Sequence, residues 1–193
     1  MPSIFVIAGP NGAGKSTAAP TLLRDEFKVP IYVNADTIAT GLSAFDPESA
    51  AFQAGRIMLT QLDQLRQSGK SFAFETTLAT RGYARWLQQT QISGYQVYLL
   101  FLALPSPEIA VQRVALRVRS GGHGIPEDTI RRRYQRGLSN FFQLYRPLCD
   151  EWIFADNADE FPKILAEGGR NLPTLTNNKL YLEFEEQYGI PKV

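Results

Sequence analysis

Cysteine and histidine are almost missing from this chain, with one residue of each among 193. With Cys149 alone, no internal disulfide forms and no cysteine-rich metal site can be assembled. His123 alone excludes a histidine-based metal centre. No apolar stretch reaches the length of about 20 residues that a bilayer-spanning helix needs. The N-terminus has no basic region ahead of its first apolar run, so no signal peptide is expected and the expected location is cytoplasmic. An excess of one charge is missing too: 20 Lys and Arg against 19 Asp and Glu leave +1. That balance gives no general attraction to nucleic acid or an anionic membrane, and neither is expected as a partner.

What the chain does hold is an ordinary share of apolar residues, 44%, and a length that suits one domain with a substantial core. Its most informative stretch is Gly9-Pro10-Asn11-Gly12-Ala13-Gly14-Lys15-Ser16, followed by Thr17. Every fixed position of the phosphate-binding pattern G-x-x-x-x-G-K-[ST] is met. The context fits as well, since Ile4 to Ala8 is an apolar run of strand type and helix-forming residues begin at Lys15. Gly9, Gly12 and Gly14 let the backbone curl so that its N–H groups point at phosphate oxygens. The helix N-terminus behind them adds its positive dipole end. Lys15 supplies a full charge for the β- and γ-phosphates of ATP, and the Ser16 hydroxyl suits Mg²⁺.

Strand-like and helical stretches then alternate. Strands are expected at Pro30–Asn34, Ser71–Glu75, Tyr95–Leu104 and Glu151–Ala155, the third of these buried on both faces. Asp46-Pro47-Glu48 reads as a helix start, with Phe52, Leu59, Leu62 and Leu65 behind it at helical spacing. Pro20 predicts an irregular first helix. The expected fold is therefore α/β: a P-loop NTPase-type three-layer sandwich with a mainly parallel five-stranded sheet, helices on both faces and an arginine-bearing lid. One domain is expected over residues 1–168, with the lid at about 117–133. Residues 169–193 form an extension with a short helix near Leu180 to Gln187.

Sheets of this kind bind ligands beyond the carboxyl ends of their strands. The second strand ends in Asn34-Ala35-Asp36, 21 residues after Lys15. A carboxylate there could take a proton from an attacking hydroxyl, orient waters on a magnesium ion, or simply cap the helix that follows. The third strand ends in Glu75-Thr76-Thr77, with Arg81 close by. Glu75 suits either support of the metal or a grip on a substrate hydroxyl, with Thr77 and Arg81 as donors. Asp156-Asn157-Ala158 follows the fifth strand and would border the adenine. Between Arg113 and Arg136 lie many arginines in two helical stretches joined by Gly121-Gly122-His123-Gly124-Ile125-Pro126. Such a pair of helices looks like a lid whose cations neutralise charge on the γ-phosphate. Arg133 lies near the apolar position Ile130 and Arg132 is its neighbour; several others must be a solvated face. His123 reads as a hydrogen-bonding loop residue.

These pieces, in this order, resemble the zeta-toxin family of P-loop kinases over roughly residues 3–160. In that family ATP phosphorylates a sugar hydroxyl of UDP-N-acetylglucosamine. The resemblance implies Asp36 as the base, Lys15 on the phosphates, and Glu75 and Thr77 on the acceptor. It also implies γ-phosphate contacts from an arginine near residue 119, hence Arg119, and from Arg132 or Arg133. An antitoxin protein is an implied partner. The chain is shorter than the larger toxins and has Asp-Asn-Ala after its fifth strand where Asp-Asn-Ser is expected. The acceptor is thus less well specified than the chemistry. A kinase of an antibiotic or a nucleic-acid end, or a non-catalytic ATP-binding switch, are the other readings of the same residues.

Overall fold

Apolar runs separated by helices fold into parallel strands joined by crossovers. The computed structural model describes residues 1–190, and in it these strands are β1 (Ser3–Ala8), β2 (Tyr32–Val33), β3 (Phe72–Thr76), β4 (Gln96–Ala103) and β5 (Glu151–Asp156). They pair in the order β2-β3-β1-β4-β5, all parallel, with Val6 facing Phe74 on one side and Leu99 on the other. The sheet continues where five strands were expected. An antiparallel pair, β6 (Lys163–Gly169) and β7 (Leu172–Leu175), extends it from β5 to seven strands. Pro173 disguises this hairpin in the sequence, because proline reads as a strand breaker. It is tolerated here because β7 is the sheet edge. The break expected after residue 168 falls within β6.

Seven helices complete the described residues: α1 (Lys15–Thr21), α2 (Ala35–Leu42), α3 (Ala51–Gln67), α4 (Gly82–Ile92), α5 (Pro107–Arg119), α6 (Glu127–Asn140) and α7 (Lys179–Tyr188). Pro20 lies inside α1, and the chain passes at once into a π-helical turn, Leu22–Glu26. A second π-helical turn, Phe141–Tyr145, follows α6 and lets both Phe141 and Phe142 reach the core. The helix expected from Pro47 begins only at Ala51, and its buried stripe is Ala54, Met58 and Leu62. Phe52 and Leu59 instead face outward, with 80% and 50% of their surface exposed. Small residues take the inward positions: Ala39, Ala50 and Ala54 form their own cluster where α2 meets α3.

The two faces of the sheet are unequally covered. One carries the main core, with Phe72, Phe74, Leu99, Phe101 and Phe154 packed under residues of α3 to α7. On the other, Ile7 and Ala73 meet Ala19, Leu23 and Val29 of the first helical segment and its following loop. Beyond that cover Tyr98 and Leu100 of β4 are only half-buried, although this strand was expected to be enclosed on both sides. The extension at the C-terminus joins the main core. Tyr181 of α7 is fully buried and stacks on Trp152, with ring centroids 6.2 Å apart. Arg146 donates to its hydroxyl at 2.7 Å and pairs with Glu185. Tyr181→Ala is accordingly expected to destabilise the protein by about 3–5 kcal/mol, as truncation of a large buried ring does. An unchanged denaturation midpoint would show that α7 does not belong to the folding unit.

Candidate active site

At the end of β1 the chain turns into the glycine loop. Gly9 has φ of +143°, and a Cβ there would lie 2.2 Å from the carbonyl oxygen of Leu102, so only glycine fits. Lys15, the first residue of α1, is buried, with its ammonium donating to the Pro10 carbonyl at 3.0 Å. Glu75 Oε1 lies 3.6 Å from the same ammonium. Burial holds the lysine pKa below its ordinary value, with Glu75 and then Asp36 pulling the other way.

Glu75 is the hub of this region. Its Oε2 accepts from Ser16 Oγ at 2.7 Å and from Asn34 Nδ2 at 3.0 Å, and it also accepts from the Tyr32 hydroxyl. Burial, and then the charge of Glu75, raise the Tyr32 pKa, so this hydroxyl stays protonated as a donor. Asn34 has a second task. Its Oδ1 accepts from the backbone N–H groups of Asp36 (2.7 Å) and Thr37 (3.4 Å), capping α2. The capping role open to Asp36 in the sequence thus falls to Asn34. The Asp36 carboxylate stands free in the first turn of α2, 53% exposed, with Oδ2 3.7 Å from Nε2 of His123.

The arginines sort themselves by their partners. Arg113 donates to the carbonyls of Asn157 and Ala158, both at 2.7 Å, and approaches that of Gly12 at 3.4 Å. It ties the loop after β5 to the glycine loop, and Asn157 Nδ2 reinforces this by donating to the Ala13 carbonyl at 2.7 Å. Arg131 is taken by Glu108 and Glu127, at 2.6 and 2.8 Å. Arg113 also borders a cleft of about 650 Å³, which Arg117, Arg132, Arg133 and Arg136 line together with Lys15, Ser16, Thr17, Asp36, Glu75 and Thr77. Beyond Thr77 its wall is formed by Met58, Thr80 and Tyr83. Arg117 Nε is buried in the protein without a hydrogen-bond partner, as is Oδ1 of Asn11 in the glycine loop. α6 is anchored beside the cleft through Ile130, Tyr134 and Leu138, all buried, and Gly137 lies so close to the Thr77 carbonyl that a Cβ would come within 2.4 Å.

The structure therefore brings together Lys15, Ser16, Asp36, Glu75, Thr77, Arg132 and Arg133, and with them Asn11, Gly12, Gly14 and Thr17 of the loop. Gly9, Pro10 and Ala13 are buried in the loop's frame. Two expected residues stay outside the cleft: Arg119 and Arg81 are both exposed. In place of Arg119 stands Arg117. The signal was available, since Arg113 and Arg117 are four apart and share a helical face, whereas Arg119 is rotated by about 200° from Arg117. The organising roles of Asn34, Tyr32 and Asn157 were not foreseen, because amides and phenols carry no motif.

Among the described residues no group of three or more His, Cys, Asp and Glu side chains could alone cage a metal ion. The donor set instead suits magnesium held partly by phosphate: the Ser16 hydroxyl, with the Glu75 carboxylate hydrogen-bonded behind it.

A parallel sheet, a glycine loop opening a helix, and carboxylates at the neighbouring strand ends define a P-loop protein of the kinase fold class. The Zeta toxin family model matches residues 1–160, and the chain belongs to that family. A Haemophilus influenzae relative, described as an uncharacterized protein, is 30% identical over 126 residues, 65% of this chain and 88% of the relative. Among solved structures, a chain of the AvrRxo1-ORF1:AvrRxo1-ORF2 complex superposes with a TM-score of 0.74 at 17% identity, over 100% of this chain and 65% of that one. The same complex with ATP gives 0.71 at 18% identity, again over 100% and 65%. The PezAT toxin-antitoxin system of Streptococcus pneumoniae gives 0.67 at 14% identity, over 100% of this chain and 80% of that one.

Proposed function

We propose that this protein is an ATP- and magnesium-dependent kinase that transfers the γ-phosphate of ATP to a hydroxyl of a small acceptor. A UDP-amino sugar is the acceptor suggested by family membership. The observation that carries the reading is the composition of one cleft, which is lined by Lys15 and Ser16, by Asp36, whose carboxylate takes no part in the helix cap, and by Arg117, Arg132 and Arg133. In this reading the glycine loop and Lys15 hold the ATP phosphates, and Asp36 takes the proton of the acceptor hydroxyl as it attacks. The arginines stabilise charge on the phosphoryl group in flight. Bound at Ser16, magnesium would neutralise charge on the β- and γ-phosphates. Glu75 is occupied by Ser16, Asn34, Tyr32 and Lys15, which supports a metal-side role rather than a grip on the acceptor. Thr77, with Met58, Thr80 and Tyr83, supplies the acceptor end. The solved AvrRxo1 complex with ATP is consistent with this nucleotide, and the PezAT neighbour with an antitoxin-type protein partner.

The decisive experiment supplies labelled ATP, magnesium and a bacterial metabolite extract. A labelled product heavier than its precursor by one phosphate is expected. Tight ATP binding with no transfer to any metabolite would favour a nucleotide-dependent switch instead. The arginine assignment has its own test in the same assay. Arg117→Ala is expected to lower transfer by about 10²- to 10³-fold, as loss of one transition-state donor does. Arg119→Ala and Arg81→Ala should transfer at the normal rate, and the reverse ranking would refute the assignment.

A further inference from the structure

The glycine-rich segment between α5 and α6 is folded back over the end of α5. Gly122 N–H donates to the Arg117 carbonyl at 2.9 Å, and Arg117 NH2 donates to the His123 carbonyl at 3.0 Å. Ile125 packs against the main core. These contacts set the imidazole of His123 between two charged groups, with Nε2 3.4 Å from Arg117 NH2 and 3.7 Å from Asp36 Oδ2. A small cavity of about 130 Å³ borders the pair and is lined in part by Asp36, Glu48, His123, Ile125 and Arg133. Among the described residues His123 is the one cation-forming side chain within ion-pair distance of the Asp36 carboxylate.

A carboxylate on the first turn of a helix, half exposed, rotates freely unless something fixes it, and a general base works only when aimed at its proton. Nε2 has two possible partners. Unprotonated, it accepts from Arg117; protonated, it forms an ion pair with Oδ2 of Asp36 at 3.7 Å, which a small approach turns into a hydrogen bond and which leaves Oδ1 for the acceptor. Arg117 also donates to the His123 carbonyl, so it holds the segment in place whichever partner the ring takes. The charged groups facing it are Asp36 from α2, Glu48 from the turn before α3, Arg117 from α5 and Arg133 from α6. We propose that His123 is a positioning residue for Asp36: it docks the 120–126 segment onto α2, so that the arginines face the phosphates and the carboxylate is aimed in the same arrangement. This rests on the reading of Asp36 as the base.

Because His123 is the sole histidine, its imidazole gives one unambiguous set of NMR resonances in the intact protein. A carboxylate 3.7 Å from Nε2 contributes to the chemical shifts of the ring, so Asp36→Asn should clearly displace the imidazole resonances. Unmoved imidazole resonances overturn the pairing, whatever the protein phosphorylates. In the labelled-ATP assay with metabolite extract, His123→Ala should lower transfer by about ten- to a hundredfold, with ATP affinity kept. His123→Gln, which returns an N–H near the place of Nε2, should recover most of the loss. Equal losses in both variants, or a parallel loss of ATP affinity, would reduce His123 to a structural contact. A wild-type protein that transfers no phosphate would instead sink the kinase reading and leave the NMR result standing.

Discussion

Asp36→Asn is expected to lower phosphate transfer by about 10²- to 10⁴-fold, the range for loss of a general base, while ATP binding is retained. The substitution isolates chemistry from folding. Asn34, not Asp36, caps α2, so the helix start survives the loss of the carboxylate. The side chain is exposed, and the replacement has nearly the same shape. A carboxylate also repels the phosphates it faces, so removing it cannot weaken ATP binding by direct contact. Normal transfer by the variant, measured with labelled ATP, would exclude Asp36 as the base. An equal loss of ATP binding would assign it to support of the magnesium ion instead.

That such a variant can be designed at all reflects how much of the site is local in sequence. The glycine loop, Asp36 and Glu75 each sit at a strand end, and a strand end is recognisable as the point where an apolar run meets a polar turn. The arginines are harder to assign, because five of them line one cleft and what each is free to do depends on partners distant in the chain. Arg113 is withdrawn by carbonyls at 157 and 158, and Arg131 by Glu108, neither of which a helical wheel reveals. The same limit governs the fold. Parallel strands between amphipathic helices announce themselves, whereas β6 and β7 carry little alternation and a proline. Whether Phe52 or Ala54 faces inward depends on how α2 meets α3, an arrangement absent from the sequence.

Lys15→Met is expected to abolish ATP turnover and, without nucleotide, to leave the fold as stable as the wild type or more so. The two effects have one cause. Burial is the main influence on Lys15 and lowers its pKa from the ordinary 10.5, so the folded site is a worse place for the ammonium than water. Between the lowered value and 10.5 the unfolded chain binds the extra proton, and stability therefore rises with pH through that window. Below the window the unfavourable burial of the cation is present in full. Methionine has similar length and no charge, and Glu75 keeps Ser16, Tyr32 and Asn34 as donors after the change. The stability advantage of the variant should accordingly be largest at neutral pH and shrink as the pH approaches 10.5. Thermal melts across this range test it, and a wild type more stable than the variant at neutral pH without ligand would refute it. Saturating magnesium and ATP should then reverse the order, since a ligand at 100 times its Kd adds about 2.7 kcal/mol to whichever protein binds it. Glu75 at 3.6 Å offsets only part of the cost of burying this cation, and the uncompensated remainder is what a phosphate can satisfy.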